Sequence, residues 1–180
     1  MPYAITHILA VIILVEIFRD FFVKNNKTFP RYYILIAAIG AIIPDLDIAA
    51  YYILYFFGFT FDQIHKTFFH TLFIPIILFL IGFASLKINF KSQRTKKMHL
   101  KISTIFFIFS FGASIHILLD SIFDNNLMLF YPISNFSAGF NLVSVFPKEL
   151  RWLILPTLDG ILLLFWIFWM EFKLKINDYF

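Results

Sequence analysis

The 180-residue chain contains no cysteine, so it can form neither a disulfide framework nor a thiolate metal site. Charged residues are scarce at 14%, against about a quarter in a soluble domain. Apolar residues make up 61% of the chain, and phenylalanine alone occupies 27 positions. A soluble core of this length could not bury so much apolar surface. The composition excludes a soluble globular, disordered or fibrous protein. It predicts an all-α, polytopic membrane protein with a single domain over residues 1–180.

The signatures of several enzyme and binding classes are also missing. The chain has no G-x-S-x-G, the serine nucleophile motif of many hydrolases. It has neither a P-loop nor a G-x-G-x-x-G, which leaves nucleotide binding without support. Apart from Phe90, no aromatic residue is interleaved with the basic stretch 87–101 that contributes to the net charge of +4. We therefore expect no nucleic-acid partner.

Five apolar runs approach the roughly 20 residues that a helix needs to cross a bilayer. They cover residues 5–22, 32–57, 69–86, 102–119 and 152–170. The second run contains Pro44-Asp45-Leu46-Asp47, and the missing N–H of proline predicts a local break in its helix. The sequence therefore predicts about five transmembrane helices in one bundle, with the second helix broken at this Pro-Asp-x-Asp motif.

The distribution of basic residues predicts the orientation of the bundle. If each run crosses once, 12 of the 15 Lys and Arg residues fall on one side, in the loops 23–31 and 87–101, in the C-terminal tail and at Arg19. The positive-inside rule places these segments in the cytoplasm. The sequence thus predicts an inner-membrane protein whose N-terminus lies outside.

Histidine and aspartate residues collect at the predicted outer end of the runs. Such groups are costly in or near a bilayer and mark function by default. In a chain without cysteine, imidazole and carboxylate are the metal donors, and together they suit zinc, manganese or iron. We predict one or two divalent ions, with zinc as the first choice. The predicted ligands are His7, Asp45, Asp47, His65, His70, His116 and Asp120.

Spacing supports the convergence of part of this set. His116 and Asp120 are four residues apart and share one helix face. A bend at Pro44 would bring Asp45 and Asp47 to one site, although they lie about 200° apart on a regular helix. Each motif alone also has a structural explanation, such as a satisfied buried histidine, a helix end or a hydrogen-bonded pair. Because four of the five histidines share one membrane end, the metal interpretation is favoured.

The order of the motifs resembles a known family. They are Thr6-His7-Ile8-Leu9, Ile43-Pro44-Asp45-Leu46-Asp47, His65-Lys66-x3-His70-Thr71, His116-Ile117-Leu118-Leu119-Asp120 and Phe130-Tyr131-Pro132. This series is similar to that of the YdjM-like family of membrane-bound, metal-dependent hydrolases, some of which are LexA-regulated. The resemblance covers about residues 6–134. It implies a metal site built from these histidines and aspartates, and a hydrolase activity.

On this hypothesis the reaction is the hydrolysis of a phosphoester in a membrane lipid or another membrane-associated substrate. Asp47 or Asp120 would be the catalytic base for the attacking water, and Lys66 would bind the phosphate of the substrate. The depth of the site favours a lipid headgroup or an isoprenoid phosphate. Two alternatives stay open: a metal-ion transporter, and a non-catalytic membrane protein with a structural metal site.

Overall fold

The computed structural model describes residues 2–23, 29–65, 67–87 and 93–174, and within them the chain is helical, as predicted. Within these described residues, Leu127 and Ala138 form an isolated antiparallel β-bridge. Short turns of other helix types extend two of the helices. The helices are α1 (Ala4–Phe18, continued by a π-helical turn Arg19–Val23), α2 (Tyr32–Ile42), α3 (Leu46–Leu54, continued by a 3₁₀ turn Tyr55–Phe57), α4 (Phe61–Ile64), α5 (Phe73–Leu86), α6 (Gln93–Phe123) and α7 (Arg151–Leu174), with a further 3₁₀ turn at Leu142–Val145.

Two helices among the described residues are long and apolar enough to cross a membrane, namely Lys101–Phe123 within α6 and Arg151–Lys173 within α7. The bent pair α2 and α3 makes a third if the two halves form one span. The expected number of about five spans is therefore not confirmed. The 14 residues of α5 rise only about 21 Å, short of the roughly 30 Å of a bilayer core.

The predicted break in the second run is present. α2 ends at Ile42, α3 begins at Leu46, and their axes differ by 43°. Pro44 lies between them, where its ring removes a donor from the helical hydrogen-bond ladder. The break places Asp45 at the N-cap of α3 and Asp47 in its first turn, where the helix dipole favours a negative charge.

The third predicted run, 69–86, begins later than expected, because α5 starts only at Phe73. Two threonine hydroxyls bind backbone carbonyls three residues earlier in this region. Thr67 Oγ1 donates to Ile64 O at 2.6 Å, and Thr71 Oγ1 donates to Phe68 O at 2.9 Å. Such local hydrogen bonds compete with a helix. They keep His70 in the turns that precede α5.

Small residues bring α2 and α6 into backbone contact in the centre of the bundle. A Cβ atom added to Gly112 would lie 2.8 Å from Ala41 N and 2.9 Å from Gly40 C. Close approach through glycine and alanine is typical of membrane helix pairs. A buried cluster continues this contact toward α1 and consists of Val11, Val15, Tyr33, Ile34, Ala37, Ala41 and Ile108. The contact also sets His116, one turn after Gly112, against the end of α2.

We expect Gly112→Ala to lower the free energy of unfolding by about 1–3 kcal/mol, because the added methyl overfills a contact between two backbones. The matched control is Gly160→Ala in α7, where an added Cβ meets nothing within 4 Å. The measurement is the thermal midpoint of each detergent-purified variant, followed by size-exclusion chromatography. Equal midpoints for the two variants would contradict the close packing of α2 on α6.

Helix α7 lies at the periphery, and no residue of its most apolar window is buried in the structure. It packs on α1. Near one end, the hydroxyl of Thr6 donates to a carboxylate oxygen of Asp159. Near the other, the ammonium of Lys173 lies 5.2 Å from the ring centre of Phe21. Polar and aromatic contacts with α1 therefore hold a helix whose other faces are apolar and exposed.

Candidate metal centre

The structure brings all seven predicted metal ligands together. They form three overlapping groups, in each of which one donor atom per residue lies within 4.8 Å of the others. Two histidines, His70 and His116, belong to two groups each. The groups are His7–His116–Asp120, Asp45–His70–His116 and Asp47–His65–His70.

Four donor atoms from three parts of the chain meet around His70 Nε2 and His116 Nε2. His116 Nε2 lies 3.3 Å from His70 Nε2 and 3.3 Å from Asp120 Oδ2. His70 Nε2 lies 3.5 Å from Asp120 Oδ2. Asp45 Oδ1 is 3.4 Å from His70 Nε2 and 3.6 Å from His116 Nε2. Tetrahedral zinc with bonds of about 2.0–2.1 Å separates its ligands by about 3.3–3.4 Å, and these five separations are close to that spacing.

The ring of His116 is oriented by the backbone of α2. Its Nδ1 lies 2.6 Å from the carbonyl oxygen of Ala41. A carbonyl can only accept, so Nδ1 carries the proton and Nε2 keeps its lone pair for the convergent cluster. Asp120, four residues later on α6, faces the same point. The predicted pairing of these two residues on one helix face is therefore present.

His70 is placed by a carboxylate on its other side. Asp47 Oδ2 lies 2.9 Å from His70 Nδ1, although the ring N–H is not aligned with the oxygen for a regular hydrogen bond. Both oxygens of Asp47 lie 3.2 Å from His65 Nδ1. Asp47 thus bridges two imidazoles beside the four-donor cluster. A carboxylate behind a metal-binding histidine is the common arrangement that orients the ring.

His7 joins the cluster from α1. Its ring stacks on that of His116 with 3.8 Å between the ring centres, and its Nε2 lies 3.4 Å from Asp120 Oδ1. The neighbouring residue Thr6 is fully buried and donates to Asp159 of α7. This contact fixes the beginning of α1 and, with it, the position of His7.

Buried polar atoms without a partner test whether a cation fits here. Both carboxylate oxygens of Asp120, Oδ1 of Asp45 and both ring nitrogens of His7 are buried and make no hydrogen bond in the described structure. An uncompensated buried carboxylate costs several kcal/mol. A divalent cation among these atoms would satisfy them, and the mixed nitrogen and oxygen donors suit zinc, manganese or iron. The side chains present therefore fit a divalent metal ion.

The cluster is closed on most sides. The side chains of His70, His116, Asp120 and Asp47 have no exposed surface, whereas Asp45 is 14% and His65 is 10% exposed. The remaining exposed surface of the site therefore lies on the side of Asp45 and His65. Lys66, the predicted phosphate ligand, lies outside the described residues.

Two features of the site could not be predicted from the residues alone. The carbonyl of Ala41 orients His116, but a backbone acceptor leaves no signature in the sequence. Asp159 stands out in the sequence as an acidic residue in an apolar run. Its hydrogen bond with Thr6 could not be predicted, because the two residues are 153 positions apart. Both contacts depend on how the helices pack.

Apolar helices of membrane-spanning length and a buried histidine–aspartate cluster define a helical membrane protein with a potential metal site. A sequence model of the YdjM inner membrane protein family matches residues 1–176. The chain belongs to this family, as its motifs predicted, and is an inner membrane protein. No curated protein and no solved structure matches the chain.

Proposed function

We propose that this protein is a metal-dependent hydrolase of the membrane, and that it hydrolyses a phosphoester in a lipid. The observation that carries this proposal is the set of four donor atoms around His70 and His116, with the partly exposed side chains of Asp45 and His65 on one side. A structural ion requires converging donor atoms, but it does not require an exposed side through which a substrate could reach them. The donors proposed to hold the ion are Asp45, His70, His116 and Asp120.

One bound ion suits this arrangement better than two. The three donor groups share His70 and His116, and each imidazole nitrogen supplies a single lone pair. If His70 Nε2 belongs to the four-donor cluster, its Nδ1 is left to face Asp47. Zinc remains our first choice, since it favours four nitrogen and oxygen donors. When bound, it would polarise a phosphoryl oxygen and make water a stronger acid.

The two oxygens of Asp120 have different neighbours, which gives this residue two roles. Oδ2 faces His70 and His116, whereas Oδ1 faces His7 Nε2 at 3.4 Å. We propose that Oδ1 accepts a proton from the attacking water and shares it with His7. Hydrolysis joins the hydroxyl to phosphorus, breaks the ester P–O bond and returns the proton to the alcohol that leaves. Of the two bases predicted from the sequence, this geometry favours Asp120 over Asp47.

The proposed substrate is a lipid phosphate, because the site is set among helices with exposed apolar faces. Its headgroup would enter on the side of Asp45 and His65. Lys66 follows His65 directly in the sequence, so we retain the proposal that its ammonium binds the substrate phosphate.

The test is hydrolysis by the protein in vesicles, read as inorganic phosphate released from phosphatidic acid and as loss of the intact lipid for phosphatidylglycerol, after zinc loading and after chelation. We expect hydrolysis that requires metal and is lost in Asp120→Asn. The matched control is His99→Ala, which changes the one histidine outside the four motifs. If the zinc-loaded wild type hydrolyses neither lipid, nor a polyprenyl phosphate, the hydrolase proposal is wrong.

A structural ion is the second candidate, and the complete burial of His70, His116 and Asp120 favours it. Such an ion would bind with all coordination positions filled by the protein and would be required for folding. Chelation would then collapse the size-exclusion peak, and the zinc-loaded protein would show no hydrolysis. Retention of the folded peak after chelation, with loss of activity alone, would exclude this candidate.

We further propose that the site lies on the outer side of the membrane, as the basic residues predict. The absence of cysteine makes this simple to test with single cysteines. Ser137→Cys, in an exposed segment, is expected to react with a membrane-impermeant maleimide in intact cells, whereas Ser92→Cys, within the basic stretch of the sequence, is expected to react only after lysis. The reverse pattern would place the site on the cytoplasmic side.

A further inference from the structure

An aromatic hairpin rises from the metal site, and the bundle does not cover it. The aromatic hairpin consists of α3, its 3₁₀ turn and α4, together residues 46–64, and it returns the chain to His65. Its two helices pack on each other. At its base, His65 Nδ1 lies 3.2 Å from Asp47. The hairpin therefore borders the partly exposed side of the site.

Contacts within the hairpin give it a defined shape. The turn passes through Gly58, whose φ of 87° lies in the left-handed region that glycine adopts without strain. The N–H of Thr60 donates to Gln63 Oε1 at 2.9 Å and caps α4. The rings of Tyr51 and Phe61 meet edge to face at 5.3 Å between their centres. The hairpin is thus an ordered element and not an open loop.

The outer surface of the hairpin is aromatic and unusually exposed. Phe56 is 86% exposed and Phe57 is 75% exposed at its tip. Tyrosines lie beside them, with Tyr52 at 69% and Tyr55 at 62%. Tyrosine among apolar side chains is enriched where a membrane meets water, because the ring prefers hydrocarbon and the hydroxyl prefers the headgroup region. A contiguous patch of this kind marks an interaction surface.

The combined length of α2 and α3 also places the tip of the hairpin at the boundary between membrane and water. At 1.5 Å per residue, α2 rises about 16 Å and residues 46–57 rise about 18 Å. With the 43° bend, the pair reaches about 30 Å along the axis of α2, which matches the thickness of a bilayer core. A helix that enters at Tyr32 therefore brings Tyr55–Phe57 to the opposite interface.

We propose that the tip of the aromatic hairpin, Tyr55–Phe57, lies in the lipid interface at the far end of the bent helix pair, and that the hairpin leads from that interface to the partly exposed side of the metal site at Asp45 and His65. Its partner is the lipid surface itself. The consequence for substrate entry rests on the proposed function: a lipid headgroup reaches the site from that interface, past the base of the hairpin, without passing through bulk water.

Spin labels on single cysteines test the location. Phe56→Cys is compared in lipid vesicles with Leu164→Cys, which is 69% exposed in the middle of α7, and with Ser137→Cys. We expect the Phe56 label to lie about 5–10 Å into the headgroup and acyl boundary, by its relative accessibility to oxygen and to a water-soluble nickel complex. The Leu164 label should lie deeper, and the Ser137 label should be in water. A Phe56 label in water, or at the depth of Leu164, would overturn the proposal.

A second variant separates this inference from the proposed activity. Phe56→Asp with Phe57→Asp places two charges on the tip, away from every proposed metal donor. We expect unchanged zinc content, about a tenfold or larger loss of hydrolysis of vesicle-borne phosphatidic acid, and unchanged hydrolysis of the soluble probe p-nitrophenyl phosphate. Full retention of vesicle hydrolysis would overturn the entry route. If the wild type hydrolyses nothing, the proposed function fails, while the spin-label depth still decides the position of the hairpin.

Discussion

Replacing His116 with alanine is expected to weaken zinc binding by roughly a hundredfold to a thousandfold. Structural zinc sites with four ligands bind with about 10–16 kcal/mol, so one ligand corresponds to about a quarter of that free energy. His116 Nε2 lies 3.3 Å from both His70 Nε2 and Asp120 Oδ2, so it lies between two other donors of the cluster. Its removal takes away one donor and the imidazole that lies 3.3 Å from the buried carboxylate of Asp120. The measurement is competition with a chromogenic zinc chelator on the detergent-purified protein.

The matched control for this experiment is His99→Ala, which removes the histidine that lies outside the motifs. It should bind zinc as the wild type does. Size-exclusion chromatography of each variant separates loss of the ion from loss of the fold. If His116→Ala binds zinc with wild-type affinity while it elutes as a folded protein, the four-donor cluster is not the metal site.

Asp47→Asn is expected to weaken zinc binding about ten- to a hundredfold and to leave one ion per chain at saturation. Asp47 lies beside His70 Nδ1 and His65 Nδ1 and contributes to the orientation of the histidine ring. Loss of such a partner typically costs this factor in metal affinity or activity. Asp45→Asn is the informative comparison, since Asp45 Oδ1 faces both histidine Nε2 atoms of the cluster.

The two aspartates of one motif should therefore behave differently. Asp45→Asn is expected to lose affinity as strongly as His116→Ala, whereas Asp47→Asn should retain binding at high zinc concentration. Titration of both variants with the same chelator, at one pH, measures the difference. Equal losses would show that Asp47 is itself a ligand, as the sequence allowed, and that the ion sits nearer to His65.

Local features of the site were predictable because they depend on residues close in sequence. The pairing of His116 with Asp120 follows from helical periodicity, and the bend follows from the ring of Pro44. The different positions of Asp45 and Asp47 were not predictable. They depend on which histidine meets each carboxylate, and therefore on the packing of α2 against α6 through Gly40 and Gly112.

The number of membrane spans could not be predicted from the apolar runs of the sequence alone. Residues 69–86 form one apolar stretch, but the hydroxyls of Thr67 and Thr71 stabilise turns and delay α5 to Phe73. An apolar run reports that a segment avoids water. It does not report where local hydrogen bonds end the helix. The same holds for α1, which ends at Phe18 and continues as a π-helical turn.

The position of the donors along the chain has a consequence for biosynthesis. Within the described residues, the donor groups use positions from His7 to Asp120, and α7 contributes none of them. The complete set is therefore synthesised before α7 emerges from the ribosome. An ion captured at that stage would join the beginning of α3, the turn that holds His70, and α6 early, and α7 would dock afterwards through Thr6 and Asp159. Assembly of this protein would then proceed in two steps during its insertion into the membrane, with the metal supply controlling the first.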